Sequence, residues 1–126
     1  MGYKVAVVGA TGNVGHEMLN ILAERKFPAD EVVALARATS HASHVAYGEE
    51  QVVVDDVEHA DVDELDLLMV AVPASEARAP AERAVEAGLP VIDTSGVLMA
   101  DGDVPLVVPW VNPEALTQAR RQVVAM

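Results

Sequence analysis

No cysteine occurs among the 126 residues, which excludes a disulfide framework, a thiolate metal site and a cysteine nucleophile within this stretch of chain. Aromatic side chains make up only 3 % of the residues, against 52 % apolar ones. The core must therefore be built of valine, alanine and leucine, a composition that suits a buried parallel sheet flanked by helices. Cations are scarce too. Eight lysines and arginines stand against 20 aspartates and glutamates, a formal charge of −12. Nucleic acid is thus not expected as a partner, because phosphate-backbone binding needs clustered cations. A single anionic ligand stays possible, since a helix N-terminus and backbone N–H groups hold phosphate without net positive charge. The acidic surface reads as a solvating one. No apolar run approaches the roughly 18 residues of a membrane-spanning helix. The opening "MGYKVA" has neither the regions of a secretion signal nor the Ser or Thr of a myristoylation site. The expectation is one cytoplasmic domain with no membrane partner.

What is present alternates between strand and helix patterns. "KVAVV" at 4–8 reads as a buried strand, and "NVGHEMLNILAER" at 13–25 as an amphipathic helix with Val14, Met18, Leu19, Ile21 and Leu22 on its apolar side. "EVVALA" at 31–36 is a second strand. "HVAY" and "QVVV" around "GEE" predict a hairpin with Gly48 in its turn. Acidic residues from Asp55 to Glu64 read as a solvated connection before a third strong strand, "LDLLMVAV" at 65–72. A helix is expected between Ser75 and Gly88, with its regular part starting near Pro80 because proline suits a first helical turn. Strands at 90–94, 106–108 and 122–126, with a short helix over "NPEALTQARR", complete the set. Such alternation with short links specifies an α/β fold, a Rossmann-like, doubly wound and mostly parallel sheet in a single domain. The sequence closes on the strand-like "VVAM", from which we expect the natural chain or its relatives to continue.

The strongest motif is "GATGNVG", with Gly9, Gly12 and Gly15 between the first strand and the first helix. In a strand–turn–helix unit, Gly9 makes the turn, Gly12 lets backbone N–H groups approach a pyrophosphate, and Gly15 lets the helix pack on the sheet. The helix N-terminus then offers partial positive charge to the phosphates. The spacing is G-x-x-G-x-x-G, with Ala10 where the commoner fingerprint has its middle glycine. The competing reading is a turn that binds nothing. About 20 residues on, NAD sites usually place an acid for the ribose hydroxyls. Here "ALARATS" offers Arg37, Thr39 and Ser40 instead, a guanidinium and two hydroxyls that suit the 2′-phosphate of NADP.

Other polar residues carry less. His41 and His44 have an H-x-x-H spacing, but in a loop without a third ligand, so no metal site is expected. His16 falls on the solvent side of the first helix and His59 in an acidic loop. Ser95 in "VIDTSG" lacks a nucleophile-elbow motif. It is better read, with Ala71, Pro73 and their neighbours, as lining the crevice at the carboxyl ends of the strands.

With "VAVVGATGNVG", "LAERKFPADEVVALA", "VIDTSG" and "DVPLVVPWVNPEAL" in that order, the chain resembles the N-terminal domain of the aspartate-semialdehyde dehydrogenase family from Lys4 to Met126. The resemblance implies an NADP-dependent oxidoreductase interconverting aspartyl phosphate and aspartate semialdehyde, in the biosynthesis of lysine, threonine, methionine and diaminopimelate. It implies that Thr11, Gly12, Asn13 and Val14 form the phosphate-cradling loop. Thr39 and Ser40 would stand at the 2′-phosphate, where the family usually has Arg-Ser.

The chain also departs from the family's pattern. The catalytic cysteine follows the strand matched by "QVVAM", at or just beyond the last residue here. The glycine pair after the third strong strand is Pro73-Ala74, the arginine that grips the substrate phosphate aligns with Met99, and the glutamate of "VPEVNPE" is Trp110. Each change removes a group that has a chemical role, whether in thiolate attack, phosphate recognition or close cofactor approach. "ALAR" and "SG" look closer to a cysteine-less group of that family. The expectation is an NADP-binding domain over residues 1–126 with no catalytic residue, inactive alone, the C-terminal catalytic and dimerisation domain being absent. Its partner would be a homodimer mate or that missing domain, with Trp110 a candidate for an exposed apolar patch or, equally, a core position. The alternative is an interaction module that keeps the fold without the cofactor, for which Pro73 and the missing arginine beside Ser40 speak. A reductase working through tyrosine is disfavoured, since only Tyr3 and Tyr47 exist.

Overall fold

The computed structural model describes residues 2–37, 44–97, 106–107, 110–118 and 123–125. The apolar run after Gly2 forms β1 (Tyr3–Val8), and the glycine turn leads into α1 (Asn13–Glu24). β2 (Ala29–Ala36), β3 (His44–Tyr47), β4 (Glu50–Asp56) and β5 (Leu67–Val70) follow, then α2 (Ala74–Glu86), β6 (Val91–Asp93) and β7 (Val123–Ala125). The strand order is β3-β4-β2-β1-β5-β6-β7. Every neighbouring pair is parallel except the β3–β4 hairpin at one edge. In that hairpin Tyr47 faces Glu50, which leaves Gly48 and Glu49 as the turn, and Gly48 takes the left-handed φ of 62° that such a turn needs.

Alternation along β1 divides the core between the two faces of the sheet. Ala6 and Val8 pack with Leu35, Leu68, Val70 and the α2 residues Ala77, Ala81 and Ala84. Val7 points the other way, into a cluster with Ala34, Val45 and Leu19 of α1. The alanines recur at helical spacing, so α2 can lie close on the sheet, where small side chains leave no voids.

Several expectations need correction. The regular part of α2 begins at Ala74, not near Pro80, and Pro80 is buried at its seventh position. Proline there deprives the Glu76 carbonyl of its helical partner. Its ring falls within the buried Ala77–Ala81–Ala84 stripe, and that burial offsets part of the loss. On α1 the buried positions are Gly15 and Leu19, whereas Val14 and Ile21 are 53 % and 43 % exposed. The acidic connection is structured, with 3-10 turns at Val57–His59 and Val62–Glu64, each capped by an aspartate side chain. Of the strand expected at 106–108, Leu106 makes a bridge and Val108 lies outside the described residues, and Pro113–Gln118 is a 3-10 helix. Trp110 is 90 % exposed and Val111 76 %, which puts both on the surface rather than in the core.

Candidate functional site

The chain leaves β1 in one direction to build β2 and returns on its other side to build β5. Helices α1 and α2 follow β1 and β5 and cover opposite faces of the sheet. A crevice must open where the connections diverge, at the carboxyl ends of these strands. One is there, with a volume of about 260 Å³. Val8, Gly9, Thr11 and Gly12 form its floor, Ala36 and Arg37 one wall, and Ala71, Val72, Pro73 and Glu76 the other, with Val57 between.

Backbone hydrogen bonds fix this floor. The Gly9 N–H donates to the Leu35 carbonyl at 2.8 Å and the Ala71 N–H to the Val8 carbonyl at 2.9 Å, tying the three strand ends together. Gly9 has φ +87°, and a Cβ on it would stand 2.5 Å from the Ala71 carbonyl oxygen. At Gly15 a Cβ would overlap the Gly9 carbonyl. Both glycines are thus demanded by the fold itself.

Gly12 is different. Its φ of −87° and ψ of 172° are open to any residue, and a Cβ would meet nothing nearer than the Gly9 oxygen at 3.5 Å. It is the N-cap of α1, yet it provides no side-chain cap, and the first turn carries no acid. The helix therefore presents its N-terminal N–H groups and partial positive charge beside space that a side chain could have filled. A bare glycine at this position suits an anion that approaches the backbone closely.

Arg37 extends from the end of β2, 71 % exposed, and its Nε stands 2.7 Å from Glu76 Oε1 in an ion pair. Glu76 stands in the first turn of α2, where the helix dipole favours an acid. Sequence reasoning missed Glu76; its place three residues after the Pro73 N-cap was the signal that could have found it. Val57, which completes the crevice, is held from behind. Arg83 donates to the carbonyls of Val57 at 2.9 Å and Ala60 at 2.6 Å. Just before it, Asp56 accepts the Glu58 N–H at 2.9 Å and pairs with His59 Nδ1 at 2.9 Å. These contacts, the Glu58 N–H first, hold the Asp56 carboxyl below its ordinary pKa.

The structure thus brings together Gly9, Thr11, Gly12, Arg37, Ala71 and Pro73 of the residues expected at the site. Asn13, Val14 and Gly15 form the helix start behind them, and Ser95 sits apart. Its hydroxyl donates to the buried Asp93 carboxylate at 2.6 Å and accepts the Val97 N–H at 3.1 Å, closing the turn after β6. Thr39, Ser40, His41 and Met99 lie outside the described residues. Among the described residues no group of three or more His, Asp or Glu is arranged to hold a metal, and no helix is long and apolar enough to cross a membrane.

A parallel sheet with a glycine turn, an uncapped helix start and a crevice at the point where the strand order reverses defines a Rossmann-type dinucleotide-binding domain. The family described as semialdehyde dehydrogenase, NAD binding domain, matches residues 4–119, and this chain belongs to that family as its N-terminal NAD(P)-binding domain. Aspartate-semialdehyde dehydrogenase 2 of Vibrio cholerae is 39 % identical over 120 residues, covering 95 % of this chain and 36 % of the relative. The structure of the V. cholerae aspartate semialdehyde dehydrogenase II complexed with ASA superimposes with a TM-score of 0.91 at 38 % identity, covering 99 % of this chain and 41 % of that one. Aspartate semialdehyde dehydrogenase with NADP from Candida albicans shares the fold, with a TM-score of 0.78 at 24 % identity over 100 % of this chain and 42 % of that one. The chain spans about a third of the length of the curated relatives it matches.

Proposed function

We propose that this chain is the NADP-binding part of an aspartate-semialdehyde-dehydrogenase-type oxidoreductase of the cytoplasm, inactive on its own. Gly12 carries the reading. It lacks a side chain where the fold leaves room for one, at a helix start with no cap of its own. The N–H groups of Gly12, Asn13, Val14 and Gly15 would hold the pyrophosphate, with Thr11 beside them and Gly9 shaping the turn. Arg37, with Thr39 and Ser40 following it in sequence, would take the adenosine 2′-phosphate, a role suited to a guanidinium and two hydroxyls. Ala71 and Pro73 would line the crevice wall across from Arg37, and Ser95 would order the loop beyond β6. A NADP complex known for the C. albicans protein supports the choice of cofactor.

When bound, the nicotinamide supplies or accepts hydride; the thiolate that completes such a reaction has no counterpart among these 126 residues, which contain no cysteine. A further domain or a second protein would supply it, and the exposed Trp110 and Val111 offer an apolar surface for such a contact. Aspartyl phosphate and aspartate semialdehyde, and with them a role in lysine biosynthesis, are the substrates and pathway that the family membership supports for the assembled enzyme. Calorimetric titration of wild type and Arg37→Ala with NADPH and NADH tests the reading. NADPH preference in the wild type, lost in the variant, is expected. An unchanged preference in Arg37→Ala overturns the assignment of the 2′-phosphate site.

A further inference from the structure

Among the described residues Arg37 and Glu76 are the charged ones lining the crevice, and they form an ion pair with each other. The local charge is therefore nearly cancelled where the 2′-phosphate reading needs a net positive one. The geometry of the pair sharpens the point. A guanidinium can grip a phosphate through its Nε side or through its two terminal nitrogens. Glu76 already occupies the Nε side. Only the outer edge of Arg37 is left for a phosphate, which carries close to two negative charges near neutral pH. That phosphate would settle a few ångströms from the Glu76 carboxylate. Glu76 is only 28 % exposed, so solvent screens it less than it screens Arg37. Meanwhile its Oε2 makes no hydrogen bond among the described residues and can accept one from a ribose hydroxyl, the group that NAD(H) presents in place of the phosphate.

Resting on the NADP reading above, we propose that Glu76 is a specificity-determining residue of this site: it weakens recognition of the 2′-phosphate, favours a free 2′-hydroxyl, and so narrows the preference between NADP(H) and NAD(H). The residue works against Arg37 in discrimination while holding its guanidinium in place. Both effects come from one side chain, and they can be separated. Gln keeps an oxygen to accept from Arg37 Nε and removes only the charge.

The test is a calorimetric titration of wild type, Glu76→Gln and Glu76→Ala with NADPH and with NADH, at low and at high salt, each protein checked by circular dichroism. Glu76→Gln is expected to tighten NADPH binding by roughly tenfold, the order of one unit charge removed at this range. NADH binding should be unchanged or slightly weaker, and the NADPH gain should shrink at high salt. NADPH affinity that stays the same or falls in Glu76→Gln, in a wild type that prefers NADPH, overturns this inference and leaves the NADP reading standing. If Glu76 served only to position Arg37, Glu76→Ala would weaken NADPH while Glu76→Gln changed nothing, and that pattern also overturns it. Binding of NADPH by Glu76→Gln alone would support the inference and deny the wild type its cofactor. No binding by any folded variant removes both.

Discussion

Gly15 in the first turn of α1 lies against the carbonyl of Gly9 so closely that a methyl group on Gly15 would overlap the oxygen. The contact sets the distance between helix and strand, and thereby the position of the helix N-terminus over the crevice. Gly15→Ala forces either the helix or the turn to move, and overpacking of this kind costs about 1–3 kcal/mol. Urea unfolding should show that loss as a lower midpoint at unchanged slope.

Gly12→Ser should behave in the opposite way. The backbone there accepts any residue, the neighbouring space is open, and serine is a better N-cap than glycine by a few tenths of a kcal/mol. The melting temperature should hold or rise while nucleotide affinity falls steeply, because the serine hydroxyl takes the N–H group and the space that the pyrophosphate would use. A variant that binds NADPH as the wild type does would show that Gly12 is not part of a phosphate cradle.

Arg83 closes the back of the crevice through the carbonyls of Val57 and Ala60. Hydrogen bonds from a charged group to the backbone in a half-buried setting are worth about 1.5–3 kcal/mol. Arg83→Met keeps the packing stem and removes those bonds. The expected result is a loss of stability in that range, with faster hydrogen exchange at Val57–Ala60 than in the rest of the sheet.

Asp56 gives the acid limb of stability a definite sign. Its folded pKa lies below the ordinary carboxylate value, chiefly because it accepts the Glu58 N–H. The contribution is therefore present above the unfolded pKa of about 3.9 and disappears as pH falls through the folded one. Asp56→Asn should melt lower than wild type at pH 7, and the two melting curves should converge as the pH falls through the lowered folded pKa. A gap that persists at low pH would mean that the side chain acts through packing rather than charge.

Much of the fold was legible because local signals agreed with one another. "KVAVV" followed by Gly9 could end only as a buried strand and a tight turn, and Gly48 between two β-rich runs marked the hairpin. Pro80 misled because the helix-breaking rule is local, whereas its ring is buried in a stripe of alanines that only the folded sheet provides. Trp110 gave no local signal at all, since an aromatic residue after a proline suits a core as well as a surface. At the site, Arg37 and the glycines were readable from their distance along the chain. Glu76 was not, because its meeting with Arg37 depends on β2 and α2 ending at the same crevice.

The proposed function requires that the crevice above Gly12 receive NADP(H). Isothermal titration of the folded wild-type chain with NADPH and then NADH tests it most directly. Saturable one-to-one binding in the micromolar range, tighter for NADPH, is expected. Absence of binding to either nucleotide, in a chain whose circular dichroism shows the α/β fold intact, would contradict it and leave the interaction module as the reading of this domain.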